Sequence, residues 1–178
     1  MHEIHVQNHV IQDFGDIKAE ATRHFSEIYT AEPVNNSEND LMELVPRIVK
    51  RKDNERLIQR VTMEEIKDVV DDMEDDKALG PDGFNVNFIK VCWGIVQKDL
   101  FKMVIKFERC DKIGGSTNSA FLALIPKEKD ATSFGRFRPI SLCNIGYKII
   151  TKIMARILKN ILPYIIPNNR GFIKGRKI

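Results

Sequence analysis

Lys127 and Arg138 are the side chains best suited by type and setting to hold a phosphate. Lys127 follows the apolar run Ala120-Phe121-Leu122-Ala123-Leu124-Ile125 and Pro126, and Arg138 precedes Pro139 in Phe137-Arg138-Pro139-Ile140-Ser141-Leu142. Two such cations on a stiff hairpin would clamp a triphosphate, because Arg offers a planar fork of donors and Lys a point charge. Phosphoryl transfer depends on positioning and charge neutralisation, so they would act on an incoming nucleotide. From spacing alone, a surface hairpin with solvated charges is the simpler reading.

A second set of cations is Lys148, Lys152, Arg156 and Lys159, spaced to stack along one side of a helix that carries Ile150, Ile153, Met154, Ile157, Leu158 and Ile161 on another. Such a stripe can track a phosphate backbone with salt-dependent affinity, or it can simply be a solvated face. Arg170, Lys174, Arg176 and Lys177 add a basic tail, and Tyr147 could stack on a base, although a core or rim tyrosine explains it better. From Lys112 onward there are thirteen Lys or Arg and two acids, Glu128 and Asp130, whereas residues 1–111 hold fifteen basic and twenty-three acidic residues. This split points to an anion-binding half joined to an acidic half.

The elements that must position these residues are mostly helical. Phe14, Ile17, Ala21, Phe25 and Ile28 predict an amphipathic helix over residues 13–29, and Leu41, Leu44, Val45, Ile48 and Val49 a second one. Residues 50–60 are charged and read as a linker. Thr62-Met63-Glu64-Glu65 is a capping box with Val61 and Ile66 as its staple, and Ile66, Val69, Val70 and Met73 line one face behind it. The acids Asp71, Asp72, Glu74, Asp75 and Asp76 read as a solvated face rather than a metal site. Gly80-Pro81-Asp82-Gly83 is a turn. Phe84, Phe88, Ile89 and Cys92, then Leu100, Phe101, Val104, Ile105 and Phe107, recur at helical spacing up to the break at Gly114-Gly115-Ser116. Ala120 to Ile125 is apolar on both faces and predicts a buried strand, with Pro139 to Leu142 as its hairpin partner. A last helix is expected from about Ile145 to Leu162, ended by Pro163.

Composition limits the function classes. The chain has 178 residues, 43% hydrophobic and 30% charged, an ordinary globular balance. No apolar run approaches the ~20 residues of a membrane span, and residues 1–5 do not read as a secretory signal. Cys92, Cys110 and Cys143 are too widely spaced for a zinc or disulfide framework, and His2, His5 and His9 lack a carboxylate pattern for metal. An intracellular location, nuclear or cytoplasmic, is expected.

Taken in order, the motifs resemble those of a known family. Thr62-x-x-Glu65-Ile66, Lys77-Ala78-Leu79-Gly80-Pro81-Asp82-Gly83-Phe84, Phe88 and Trp93 come first. Asn118 to Lys127 follow, then Phe137 to Asn144 with Tyr147-Lys148 and Lys152, then Pro167-Asn168 and Phe172-Ile173-x-Gly175-Arg176. This series resembles the reverse transcriptase of non-LTR (LINE-type) retrotransposons, the kind abundant in plant genomes. The resemblance implies an α+β, helix-dominated fold: a helical upstream arm over residues 1–60, then over 61–178 a partial fingers region with a short β-hairpin and flanking helices. It implies that Lys127 and Arg138 touch the phosphates of a dNTP. It also implies that the Gly80 to Phe84 turn, with Gly80, Asp82 and Gly83, lies near the template. Lys148, Lys152, Arg156 and Arg176 would extend the nucleic-acid contact to an RNA template or RNA/DNA duplex.

The palm-entry segment departs from the family pattern, with Asn169 where Gln is usual, Gly171 where a small apolar residue is usual, and Arg170 and Lys174 unusual. The family's Mg²⁺-holding carboxylates belong to a later Asp-bearing strand and an Asp-Asp hairpin, outside these 178 residues. The chain is therefore expected to carry no catalytic or metal-binding residue and no cofactor of its own. It is also expected not to polymerise alone, and to need the palm as a partner. Other classes compatible with the residues are a non-catalytic nucleic-acid-binding module and a helical protein-interaction fragment.

Overall fold

The computed structural model describes residues 3–6, 9–30, 49–110 and 113–165. It is helix-rich and α+β, with two two-stranded sheets. In chain order the elements are β1 (Ile4–Val6), β2 (His9–Ile11), α1 (Phe14–Tyr29), α2 (Arg51–Leu57), α3 (Met63–Asp71), α4 (Val86–Val91), α5 (Trp93–Cys110), β3 (Ala120–Pro126), β4 (Phe137–Cys143), α6 (Ile145–Leu158) and α7 (Leu162–Ile165). Among the described residues no helix is long and apolar enough to cross a membrane. Two compact units are formed: Met1–Leu44 with Leu122–Ser141, and Val45–Phe121 with Leu142–Ile178.

The first unit has a small core of Ile4, Ile17, Phe25, Phe134 and Phe137, with Ala21 and Leu124 packed at its edge. Asp13 caps α1 by accepting the Asp16 amide at 3.1 Å, and Ile17, Ala21 and Phe25 face the core as their spacing predicts. Phe14 and Ile28, at the ends of the same series, are exposed. The hairpin of β1 and β2, in which Ile4 pairs with Ile11 and Val6 with His9, was not predicted. Its three-residue strands are too short for period-two alternation to register. His5 and His9 fall on opposite faces of it, so they do not converge on a metal.

The second unit is a helical core of Ile66, Val69, Val70, Val86, Ile89, Leu100, Val104, Ile149, Ile150 and Ile153. The capping box closes as read: Thr62 N donates to Glu65 Oε2 at 2.8 Å and Glu65 N to Thr62 Oγ1 at 3.2 Å. Both staple residues, Val61 and Ile66, are buried. On α4 the buried pair is Val86 and Ile89, while Phe84 and Phe88 stack on each other at 4.8 Å and stay largely exposed.

Four expectations need correction. Residues 50–60 contain α2 rather than a linker. An Arg51–Glu55 pair at 3.1 Å, Asp53 in the first turn and Arg56 in the last suit the helix geometry and dipole. The last helix stops at Leu158, and Pro163 sits inside α7, where a first-turn proline forfeits no bond. Its stripe also needs revising: Ile150 and Ile153 are buried as expected, but Ile149 is buried with them while Met154 and Leu158 are exposed. Finally, β3 is not a buried strand. Phe121 is 57% exposed and Ile125 46%, because β4 is the strand it pairs with and one hairpin face is left open. The helix predicted over residues 41–49 lies outside the described residues up to Ile48.

Ile149 is fully buried, so Ile149→Ala should cost about 2–5 kcal/mol, read as a lower urea midpoint in equilibrium unfolding. Thr62→Ala should cost about 1 kcal/mol in the same assay. No change in either would contradict the packing and capping described.

Candidate nucleic-acid interface

Backbone bonds bracket the β3–β4 hairpin: Lys127 N donates to Arg136 O at 2.8 Å and Asn144 N to Ser119 O at 3.3 Å. Both fit one antiparallel offset, which sets Arg138 opposite Ile125. Lys127, Arg136 and Arg138 therefore rise from one face, with Lys127 and Arg138 as diagonal neighbours. The loop between the strands turns at Asp130, whose φ is 62°, a conformation that Asp tolerates better than most residues. Lys127 Nζ donates to Gly135 O at 2.7 Å, and Arg136 pairs with Glu128 at 3.0 Å. Arg138 is exposed and meets no carboxylate among the described residues. Arg136 was not singled out by sequence reasoning. The register reveals it, because it sits opposite Lys127.

In the second unit, the turn at Gly80 and the junction between β4 and α6 grip each other. Asp82 N donates to Asn144 Oδ1 at 2.9 Å, and Asp82 Oδ2 accepts from Ile145 N at 2.8 Å. Asn144 Nδ2 donates to Ser116 O at 2.6 Å, and Asp82 Oδ1 accepts from Phe84 N at 3.3 Å. Asn144 occupies the N-cap position of α6 but makes no side-chain cap bond to its own helix. The carboxylate that caps α6 is that of Asp82, where negative charge also suits the helix dipole. Asn144 is 6% exposed, and among the described residues no buried side-chain nitrogen or oxygen lacks a partner.

Both glycines of this turn have a physical reason. A Cβ on Gly80 would lie 2.4 Å from Cys143 O and 2.6 Å from Asn144 N, so the backbones touch only because no side chain intervenes. Gly83 has φ of 71° and its amide closes the turn onto Gly80 O at 3.1 Å. Gly80, Asp82 and Gly83 thus each have a structural task in this unit.

The cations of α6 are largely engaged. Lys148 Nζ donates to Ala78 O at 2.5 Å. Arg156 lies 3.3 Å from Asp68 and 3.7 Å from Asp72. Glu74 is held below the usual carboxylate range chiefly by its hydrogen bond to Lys77, with a smaller contribution from the charge of Lys152. The acidic face of α3 is therefore in part the counter-charge of the α6 stripe. Lys152 and Lys159 are exposed, without a salt bridge among the described residues. Arg176 lies outside the described residues.

No family model matches the chain. It is 25% identical over 170 residues to "Transposon TX1 uncharacterized 149 kDa protein" of Xenopus laevis; the match covers 94% of this chain and 13% of that protein's length. The chain is thus similar, along nearly its whole length, to a segment of a transposon protein.

Asp82→Ala and Asn144→Ala should each destabilise the chain by about 1–3 kcal/mol through the unpaired groups they leave. In a double-mutant cycle the pair should show coupling of about 1 kcal/mol, because the two side chains make separate bonds that fasten the same turn to the same helix start. Additive losses would show that the two side chains do not act together.

Proposed function

We propose that this chain is part of the RNA-directed DNA polymerase of a non-LTR retrotransposon, of the plant-like kind, and corresponds to its upstream arm and fingers. The observation that carries the reading is the meeting of the two motif segments at Asp82 and Asn144, which lie sixty-two residues apart. These are the stretches on which the family resemblance rests, and here they form one interlocked unit. The similarity to a transposon protein supports the same descent.

In this reading the hairpin face is the working surface. Lys127 and Arg138 bind the phosphates of an incoming nucleotide, with Arg138 supplying an exposed guanidinium fork and Lys127 exchanging its loop carbonyl for a phosphate oxygen. The side chains are exposed, so attraction acts through water and is strongly screened by salt. Lys152 and Lys159 supplement contact with an RNA template or RNA/DNA duplex, whereas Lys148 and Arg156 mainly brace α6 against the residues around α3. Gly80, Asp82 and Gly83 act by holding the motif segments together near the template. The metal-binding carboxylates that polymerisation requires come from a palm, so the 178-residue chain alone does not extend a primer, and it belongs in the nucleus or cytoplasm.

Anisotropy titration of a labelled RNA/DNA hybrid with the pure chain should show weak binding, with an affinity that falls as salt rises from 50 to 200 mM. Lys152→Ala with Lys159→Ala should reduce the salt slope by about one for each cation removed, and Lys127→Ala with Arg138→Ala should weaken binding of a labelled dNTP. An unchanged slope would overturn the assignment of the α6 cations, and unchanged dNTP binding that of the hairpin face. Primer extension by the pure chain with dNTPs and Mg²⁺ would overturn the dependence on a palm.

A further inference from the structure

The second unit carries a surface that the nucleic-acid reading does not use. Residues of α2, the end of α5 and the middle of α6 enclose a groove of about 500 Å³, within the ~300–1,000 Å³ range of ligand clefts. Its floor is the buried core at Val61, Val104, Ile150 and Ile153. Its upper walls are apolar and open to solvent, with Ile58 73% exposed and Met154 44%. A second groove of about 550 Å³ shares Leu57, Val61, Ile153 and Ile157 with the first but is otherwise lined mainly by polar side chains, Asp53, Arg56, Glu65 and Arg156 among them, so the apolar trough is that of the first groove.

The charges around these grooves are unevenly matched. Glu108 accepts the Val61 amide at 3.0 Å, and Glu65 is held in its capping box at 2.8 Å. Arg60 and Arg109, the chain neighbours of the Val61–Glu108 pair, line the first groove, and Arg56 lines the second. Among the described residues none of these three arginines is ion-paired, whereas Arg51 and Arg156 are. The surface thus offers an apolar trough with guanidinium forks at its margin. The trough runs between helices and presents no strand edge, which suits an amphipathic helix seated through anchors at i, i+4 and i+7. Arg geometry favours carboxylates on that helix.

We propose that the first groove docks an acidic amphipathic helix of a protein partner, with apolar residues against Ile58, Met154 and Ile157 and carboxylates against Arg60 and Arg109. The test is anisotropy titration of a fluorescein-labelled synthetic helix of about 18 residues, long enough to hold helical structure, with Leu on one face and Glu on the other. A twin peptide with Lys for Glu and vesicles containing phosphatidylserine serve as comparisons. The full chain should bind the acidic peptide saturably and the Lys twin at least about tenfold more weakly. Arg60→Glu with Arg109→Glu should weaken binding of the acidic peptide by about tenfold or more, and Ile58→Asp should do the same with little effect on melting, its side chain being exposed. Lys98→Glu, outside the groove, should leave binding unchanged. Equal binding of both peptides, undiminished binding by the Ile58→Asp chain, or binding to vesicles but not to the acidic peptide would overturn the proposal.

Discussion

The second unit depends on one exchange of hydrogen bonds. Asp82 gives its amide to the Asn144 side chain and its carboxylate to the first amide of α6, while Asn144 reaches on to Ser116. Three loops that sequence leaves far apart are thereby fixed at one point, and that point is the start of the helix whose Ile149, Ile150 and Ile153 fill the core. The approach is close enough that Gly80 cannot carry a side chain without displacing backbone. The network is half-buried around the buried Asn144 side chain, and such networks favour one arrangement because each partial version leaves a group unsatisfied.

The same economy explains the charge pattern. A chain with an acidic front and a basic back has two uses for its charges, one internal and one external. Arg156 and Lys148 serve the internal use by bracing α6 against Asp68, Asp72 and the Ala78 carbonyl. Exposed pairs of this sort contribute modestly to stability and are weakened by salt. The hairpin cations are differently placed. Arg138 is uncommitted among the described residues, and Lys127 is committed only to a carbonyl of its own loop.

Much of the helical framework was legible from side-chain type and spacing. The capping box at Thr62 and Glu65, the stripe along α1 and the break after α5 follow from local chemistry, and local chemistry is what sequence displays. The hairpin was legible through its bounding prolines, but its burial was not: an apolar run records what a strand can bury, not whether a second layer covers it. Helix α2 was hidden because its residues are almost all polar or charged and none is buried, so what suits it to a helix is the Arg51–Glu55 pair and the placing of its end charges rather than an apolar stripe. The largest omission at the candidate site was the role of Asn144. Although it directly precedes α6, the side chain that caps the helix is that of Asp82, sixty-two residues earlier, and no local pattern carries that information. Once the register was known, Arg136 joined Lys127 on the same face.

Amide hydrogen exchange would show whether the Asp82–Asn144 interlock holds the unit together. The Asp82 and Ile145 amides sit in a turn and at a helix start, where unsupported groups exchange within the range of fraying segments. If the interlock holds the unit together, both should exchange at the slow rate of core amides such as Ile150 and Ile153, and both should lose protection together as denaturant is added. Fast exchange at Asp82 while Ile150 stays protected would contradict it, and would reduce the interlock to a touching of loops that the core does not need.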